Sequence, residues 1–335
     1  MKTKFCIASA LALALASTAT AGKLEDVQAA GELGCGVSEG VPGFSSPNSE
    51  GQWAGFDVDI CKAVAAAVLG DAGKVRYVPL ASKQKVLAVT SGQVDITSRT
   101  TTWTMSRDAK EGADFTGTVF YDGQGFMVRA EAGVENANEL NGASICVTSG
   151  TTTELNLADF GRANSVEFEA VVFEGKKEAF AAYESGRCDA ISTDASQLAA
   201  FRTAMPDVSL HKVLPQIISK EPLSPLVAQG DAQWKDIVTW VVFGLINAEE
   251  AGITSANAAE LTASSEDPNV QRLLGVSGEM GGALGLDNDW LKRAIESVGN
   301  YGEIFDRNLG GPLSMDRNLN KLWTKGGILY APPVR

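Results

Sequence analysis

Two stretches of the chain repeat one pattern, and that repeat constrains the fold more than any other feature. KVLAVTSGQVDIT runs as a helix to Ser91-Gly92 and enters a strand at Val94; EAFAAYESGRCDAIS runs as a helix to Ser185-Gly186 and enters a strand near Cys188. In each, an aspartate follows the glycine by three residues, at Asp95 and Asp189. Glycine suits the left-handed position after a helix, so one such match is only a helix stop. Two in the same order predict two similar lobes. The surrounding segments alternate strand and helix: strands at 33–37 and 75–79 flank a helix over 57–69, and strands at 144–148 and 166–173 flank helices over 152–160 and 177–184. Alternation of this kind points to α/β units with parallel strands.

Between the two series lies FYDGQGFMVRAEAG, an extended run containing Gly123 and Gly125. A return crossing is expected within VLPQIISKEPLSPLVAQG, where Pro222 and Pro225 interrupt a second extended run. Two extended connections between two lobes make a hinge. From about Gln233 the chain reads as mostly helical and is expected to pack back on the first lobe; WKDIVTWVVFGLINAEEAG has the apolar spacing of a packed core helix. The glycine-rich run from Gly275 to Gly285 reads as a surface loop. The expected division is residues 22–121 plus 228–335 for lobe 1, with the helical C-terminal extension, and residues 125–226 for lobe 2.

The first 21 residues have a basic start at Lys2 and Lys4, an apolar run through Ala16 and small residues at Ala19 and Ala21. This is the pattern of a cleaved secretory signal. The run falls short of the roughly 20 residues that span a bilayer. An exported protein, in the periplasm and without direct membrane insertion, is expected. Losing Lys2 and Lys4 leaves a chain two units more acidic than the −13 of the full sequence, which argues against nucleic acid and anionic lipid as partners. Four of the five cysteines lie beyond the leader, at Cys35, Cys61, Cys146 and Cys188. In an oxidising compartment three pairings are open; Cys35 with Cys61 and Cys146 with Cys188 are favoured because each closes a short loop within one half, and four free buried thiols are the alternative. Neither the cysteines nor the single histidine, His211, has metal-ligand spacing, so no metal or cofactor is expected.

GFDVDICKAVAAAV, from Gly55 to Val68, supplies a turn glycine, an apolar plug at Phe56, two carboxylates at a helix start and an alanine-rich helix. Gly55, Phe56, Asp57, Val58, Asp59 and Ile60 resemble, at every defined position, the motif of the family 3 extracellular solute-binding proteins, the polar amino-acid receptors of bacterial ABC importers. DITSRTTTWTMSRD and FYDGQGFMVR resemble the general L-amino-acid receptors of that family and those for glutamate, glutamine, aspartate and asparagine. The resemblance implies a two-lobed α/β periplasmic-binding-protein fold of type II, with the lobes joined by two hinge strands. It also implies a ligand cleft between the lobes, broad specificity for L-amino acids, a membrane permease as partner, and a monomer.

Seven hydroxyls crowd residues 97–106, bracketed by Arg99 and Arg107. A free amino acid carries a carboxylate and an ammonium on one carbon, and burying either without a partner is costly. A guanidinium binds a carboxylate through two parallel hydrogen bonds. By the resemblance, Arg107 grips the α-carboxylate and Thr100 and Thr102 add donors, with Thr101 and Trp103 turned away. From the residues alone, Arg107 solvated on the first turn of a short helix is an equal alternative. In VTSGTTTELN, the spacing of Thr151 and Glu154 is that of a capping box, and the resemblance assigns Gly150, Thr151 and Thr152 to the same carboxylate. Asp194 matches the aspartate that pairs with the ligand ammonium; as plain sequence it reads as a helix N-cap. Two positions depart from the family. Val41 stands where many relatives carry a ring over the ligand, and Arg99 stands where many carry a small residue. Arg99 reaches the ligand side chain or forms a structural ion pair. A dehydratase related to the fold, or a sensor feeding a chemoreceptor, are the competing functions; a catalyst needs a placed acid or base, and His211 lies far from these motifs in the chain.

Overall fold

The computed structural model describes residues 22–335; the expected leader, residues 1–21, lies outside them. Two five-stranded sheets carry the chain, and they repeat one layout. In the first, β1 (Leu33–Ser38), β4 (Val75–Leu80) and β5 (Ile96–Thr97) are parallel, because the helices α2 (Phe56–Leu69) and α3 (Lys85–Thr90) return the chain to the same end each time. In the second, β9 (Ser144–Thr148), β10 (Glu169–Phe173) and β11 (Ala190–Asp194) are parallel around α5 (Thr152–Asn164) and α6 (Lys176–Glu184). An antiparallel strand then lies beside the third parallel one in each sheet. It is β14 (Leu226–Ala228) in the first and β8 (Gln124–Arg129) in the second. Each is laid down just after the chain has crossed between sheets. β6 (Ala113–Phe115) and β12 (His211–Val213) form the edges beyond these antiparallel strands, with β4 and β10 at the opposite edges.

The repeated aspartates explain why the motif recurs. Asp95 accepts the Gly34 N–H at 2.7 Å at the start of β1, and Asp189 accepts the Ser144 N–H at 2.8 Å at the start of β9. Each ties the central strand of its sheet, which follows a Ser-Gly stop, to the first parallel strand beside it. Disulfides link Cys35 on β1 to Cys61 on α2, and Cys146 on β9 to Cys188 just before β11. Both therefore fasten neighbouring elements of one sheet layer.

Strands β7 (Phe120–Asp122) and β13 (Glu221–Leu223) pair antiparallel between the sheets, Asp122 opposite Glu221 and Phe120 opposite Leu223. Phe120 packs edge-on against Phe44 and Phe56 and stacks on Phe305. Phe56 of the GFDVD motif is thus a plug against the hinge. Gly55 before it has φ +134°, and a Cβ there would strike the Phe44 carbonyl. The second sheet alternates as a two-sided strand should: Phe126 and Val128 face one core and Met127 the other.

The rest of the chain is helical. After α1 (Lys23–Ala30), which precedes β1, and α4 (Met105–Lys110) and α7 (Ala195–Thr203) in the two sheets' layers, α8 (Ala232–Glu250) opens the extension, capped by Asp231. Helices α9 (Ala258–Ser264), α10 (Pro268–Leu273), α11 (Met280–Leu284), α12 (Trp290–Val298) and α13 (Tyr301–Phe305) follow. They share one continuous apolar core with α2 and β1. The run from Gly275 to Gly285 is more than the expected loop, since α11 lies inside it with Leu284 buried. Met280, Ala283 and Leu284 have helical spacing, and the glycines around them masked it. Further on, Asn320 accepts from the Tyr121 N–H at 2.7 Å and donates to the Tyr121 carbonyl at 3.0 Å, so the extension grips the hinge strand from behind. Among the described residues no helix is long and apolar enough to cross a membrane. The short ribbon of β2 (Ser46–Pro47) and β3 (Trp53–Ala54) leads into α2.

Candidate functional site

The hydroxyl-rich segment follows β5, the central strand of the first sheet. Ser98 donates to Asp57 at 3.3 Å, so the motif carboxylate supports this turn from below. Thr100 takes a left-handed backbone at φ +46°, uncommon for a residue with a branched side chain. Its buried hydroxyl has no hydrogen-bond partner. An unpaired buried hydroxyl in a strained backbone marks a functional position more often than a structural one. Trp103 turns outward and stacks on Phe115, and Thr101 is held inside the lobe, its carbonyl accepting the Ser224 N–H.

Arg107 is not solvated. Thr104 caps α4 by accepting the Arg107 N–H, and the guanidinium folds inward, 7% exposed, where Nη1 donates to the Thr102 carbonyl at 2.8 Å. Nε and Nη2 make no hydrogen bond within the described residues. Arg99 is buried too; it donates to the Leu80 carbonyl at 3.0 Å and to Ser82 Oγ at 3.3 Å, with no carboxylate within ion-pair distance among the described residues. Burial pulls it down to about 10, so it stays charged at neutral pH.

Across the cleft, Gly150 lies against Lys83 of the first lobe, where a Cβ would come within 2.6 Å of the lysine Cγ. Beside it, Lys83 pairs with Glu174 at 2.8 Å, a bond from one lobe to the other. Thr151 occupies the N-cap position of α5 but does not cap: its hydroxyl donates to the Thr148 carbonyl at 2.6 Å, and Glu154 makes no return bond. The capping box expected from spacing is absent because the hydroxyl is drawn back to the end of β9. Asp194 likewise sits at the N-cap of α7 without capping it; its Oδ2 accepts from Gln197 Nε2.

Glu221 joins the two sides. This hinge carboxylate is 1% exposed and accepts from Thr102 Oγ1 of the first lobe at 2.5 Å, and from Thr152 Oγ1 at 2.9 Å and Asn156 Nδ2 at 2.7 Å of the second. Ser219 adds a fourth bond at 2.6 Å. The Thr102 and Thr152 hydroxyls are 3.4 Å apart. Sequence reading missed Glu221 because it lies in an unremarkable proline-flanked strand, and only the closing of the hinge brings its partners together.

Arg99, Thr100, Thr102, Thr151, Thr152 and Asp194 converge on one inner cleft, whose free volume of about 10 Å³ is roughly that of one water. An amino acid therefore enters only when the lobes part. Arg107 stands behind Thr102, Gly150 at the rim, and Val41 borders a separate outer cavity of about 210 Å³. Two lysines that sequence reading missed complete the inner wall, Lys85 and Lys176. Lys176 donates to Gln197 Oε1. Burial lowers Lys176 to about 8 against the opposing pull of Asp194, and holds Lys85 well below the usual lysine range, helped by Arg107 and Arg99. Burial pushes Asp194 up to about 7 despite Lys176. Each lysine heads the helix that ends at a Ser-Gly stop, α3 and α6 respectively. Lys85 opens the first copy of the sequence repeat and Lys176 lies two residues before the second, so the helix starts of the repeat are the signal that finds them.

Residues 33–254 match the model of the bacterial extracellular solute-binding proteins, family 3. The chain belongs to that family. This family 3 protein is 52% identical to the general L-amino acid-binding periplasmic protein AapJ of Rhizobium johnstonii over the whole of both chains. It is 50% identical to the glutamate/glutamine/aspartate/asparagine-binding protein BztA of Rhodobacter capsulatus, over 100% of this chain and 99% of the other. Among solved structures it superposes, with a TM-score of 0.92 and 53% identity, on a periplasmic binding protein of an ABC transporter from Brucella ovis with glutathione bound, covering 94% of this chain and 100% of that one. The family 3 match ends at residue 254, so most of the extension lies beyond it, while the full-length likeness to AapJ includes it.

Proposed function

We propose that this family 3 solute-binding protein captures free L-amino acids in the periplasm and delivers them, as a monomer, to the permease of an ABC importer. The observation that carries the reading is one cleft lined by Arg99 and Lys85 from the first lobe and by Asp194 from the second, with Arg107 just behind Thr102. Arg107, Thr100 and Thr102 on the first lobe stand for the α-carboxylate, together with Gly150, Thr151 and Thr152 at the start of α5. Asp194 on the second lobe stands for the α-ammonium. Such a site grips groups common to every L-amino acid and leaves the side chain to Arg99, Lys85 and Lys176, which favour acidic and amide ends. The names of AapJ and BztA support that breadth, and the glutathione in the Brucella ovis protein supports a cleft that accommodates more than a free amino acid.

The reading includes no catalysis. His211 sits on β12 with Nδ1 bonded to the Tyr183 hydroxyl at 3.0 Å, and it borders neither cavity. The deciding experiment is calorimetric titration of unfolded, dialysed and refolded protein with a panel of L- and D-amino acids. Comparable affinity for many L-forms with rejection of D-forms is expected. Heat with no amino acid, together with turnover of arogenate or prephenate, would replace the receptor with an enzyme.

A further inference from the structure

The outer cavity, about 210 Å³, adjoins the inner cleft: Ser82, Arg99 and Lys176 border both. It lies between the lobes, with Ser38 and Val41 on one wall and Lys177 and Glu178 on the other. Ser38 is 1% exposed and its hydroxyl has no hydrogen-bond partner, a state that proteins avoid unless something else supplies the bond. The Lys177 side chain lies across Gly40 so closely that any side chain at position 40 would collide with it. The second lobe thus roofs the cavity when the cleft is shut. The small side chain of Val41 forms part of its wall.

An amino acid held by its α-carbon groups at Thr100, Thr102, Thr152 and Asp194 has its side chain beside Arg99 and Lys176, the two cations that border both spaces. Anything carried on that side chain continues outward, past the Ser38 hydroxyl and towards the Lys177 ammonium. We propose that the outer cavity is a tail subsite for γ-glutamyl amides and short γ-glutamyl peptides, with Ser38 bonding the amide group and Lys177 meeting a terminal carboxylate. This rests on the inner cleft holding the amino-acid head, as proposed above.

The probes are L-glutamine and γ-L-glutamylglycine, titrated into refolded protein, alone and in competition, with wild type and Lys177→Glu. Lys177 is exposed on the first turn of α6, so the variant is expected to fold normally. The proposal expects both probes to bind and to exclude each other. It expects Lys177→Glu to leave glutamine affinity unchanged while weakening γ-L-glutamylglycine roughly fivefold or more by setting a carboxylate against its terminus. Glutamine binding without γ-L-glutamylglycine binding overturns the tail subsite and leaves the amino-acid reading standing. Binding of both probes at once, or an equal effect of Lys177→Glu on both, also overturns it. Silence from both probes removes the head site and the tail site together.

Discussion

At the scale of single residues, the site is a set of buried ions whose charges are half-matched until a zwitterion arrives. Truncating Arg107 or Asp194 to alanine is expected to weaken amino-acid binding by roughly 2–5 kcal/mol each, because the partner charge on the ligand is left buried and alone; titration calorimetry reads this directly. Asp194 also sets a pH dependence. Lys176, Lys85, Asp122 and Glu221 face it, and burial lifts it from 3.8 to about 7. A raised carboxylate favours the folded state below about pH 4, and that contribution is lost as the pH rises through 7. The ligand ammonium needs the ionised form, so binding should release a proton and affinity should fall below pH 7, by up to roughly tenfold per pH unit. Titrations at pH 6 in two buffers of different ionisation enthalpy will show the release; equal heats would show that Asp194 is already ionised. Chemistry at this scale was only partly legible in the sequence. Arg107, Thr102 and Asp194 stood out through the family resemblance; by residue chemistry alone Arg107 read equally as solvated and Asp194 as a helix N-cap. Lys85 and Lys176 did not stand out, since a lysine at a helix start reads as solvated until the facing lobe covers it.

Among the elements, the hinge pair β7 and β13 carries the most consequence. Glu221 on β13 holds Thr102 of one lobe and Thr152 and Asn156 of the other, so its full set of bonds exists only when the cleft is shut. Hydrogen bonds to a charged group contribute about 1.5–3 kcal/mol each. Glu221→Ala should therefore widen the ligand-free protein in small-angle scattering and weaken every amino acid by a similar factor. An effect confined to one side-chain class would instead make Glu221 a specificity residue. The disulfides act within layers: Cys146→Ser is expected to cost about 2–4 kcal/mol in the second lobe, measured by denaturant unfolding under oxidising conditions. The repeated Ser-Gly stops and their aspartates made the parallel cores legible. The helix α11 was not, because the five glycines of the run from Gly275 to Gly285 outweigh, by composition, a single turn of apolar contacts.

Over the whole molecule, the extension turns a two-strand hinge into a three-point attachment. Tyr301 donates to the Val119 carbonyl at 2.8 Å and Asn320 brackets Tyr121, both on the approach to or within β7. Asn320→Ala should speed hydrogen exchange at the Tyr121 amide by about tenfold or more, with little change in ligand affinity. The same extension continues past residues 311–313 to lie opposite α7 of the second lobe, and a groove of about 860 Å³ runs between them behind the hinge. The groove is lined by hinge strand β7, by α7 and by the extension, so rotation about β7 and β13 changes its width together with that of the cleft. The ligand's presence is thereby copied, as width, into a second opening beside the hinge.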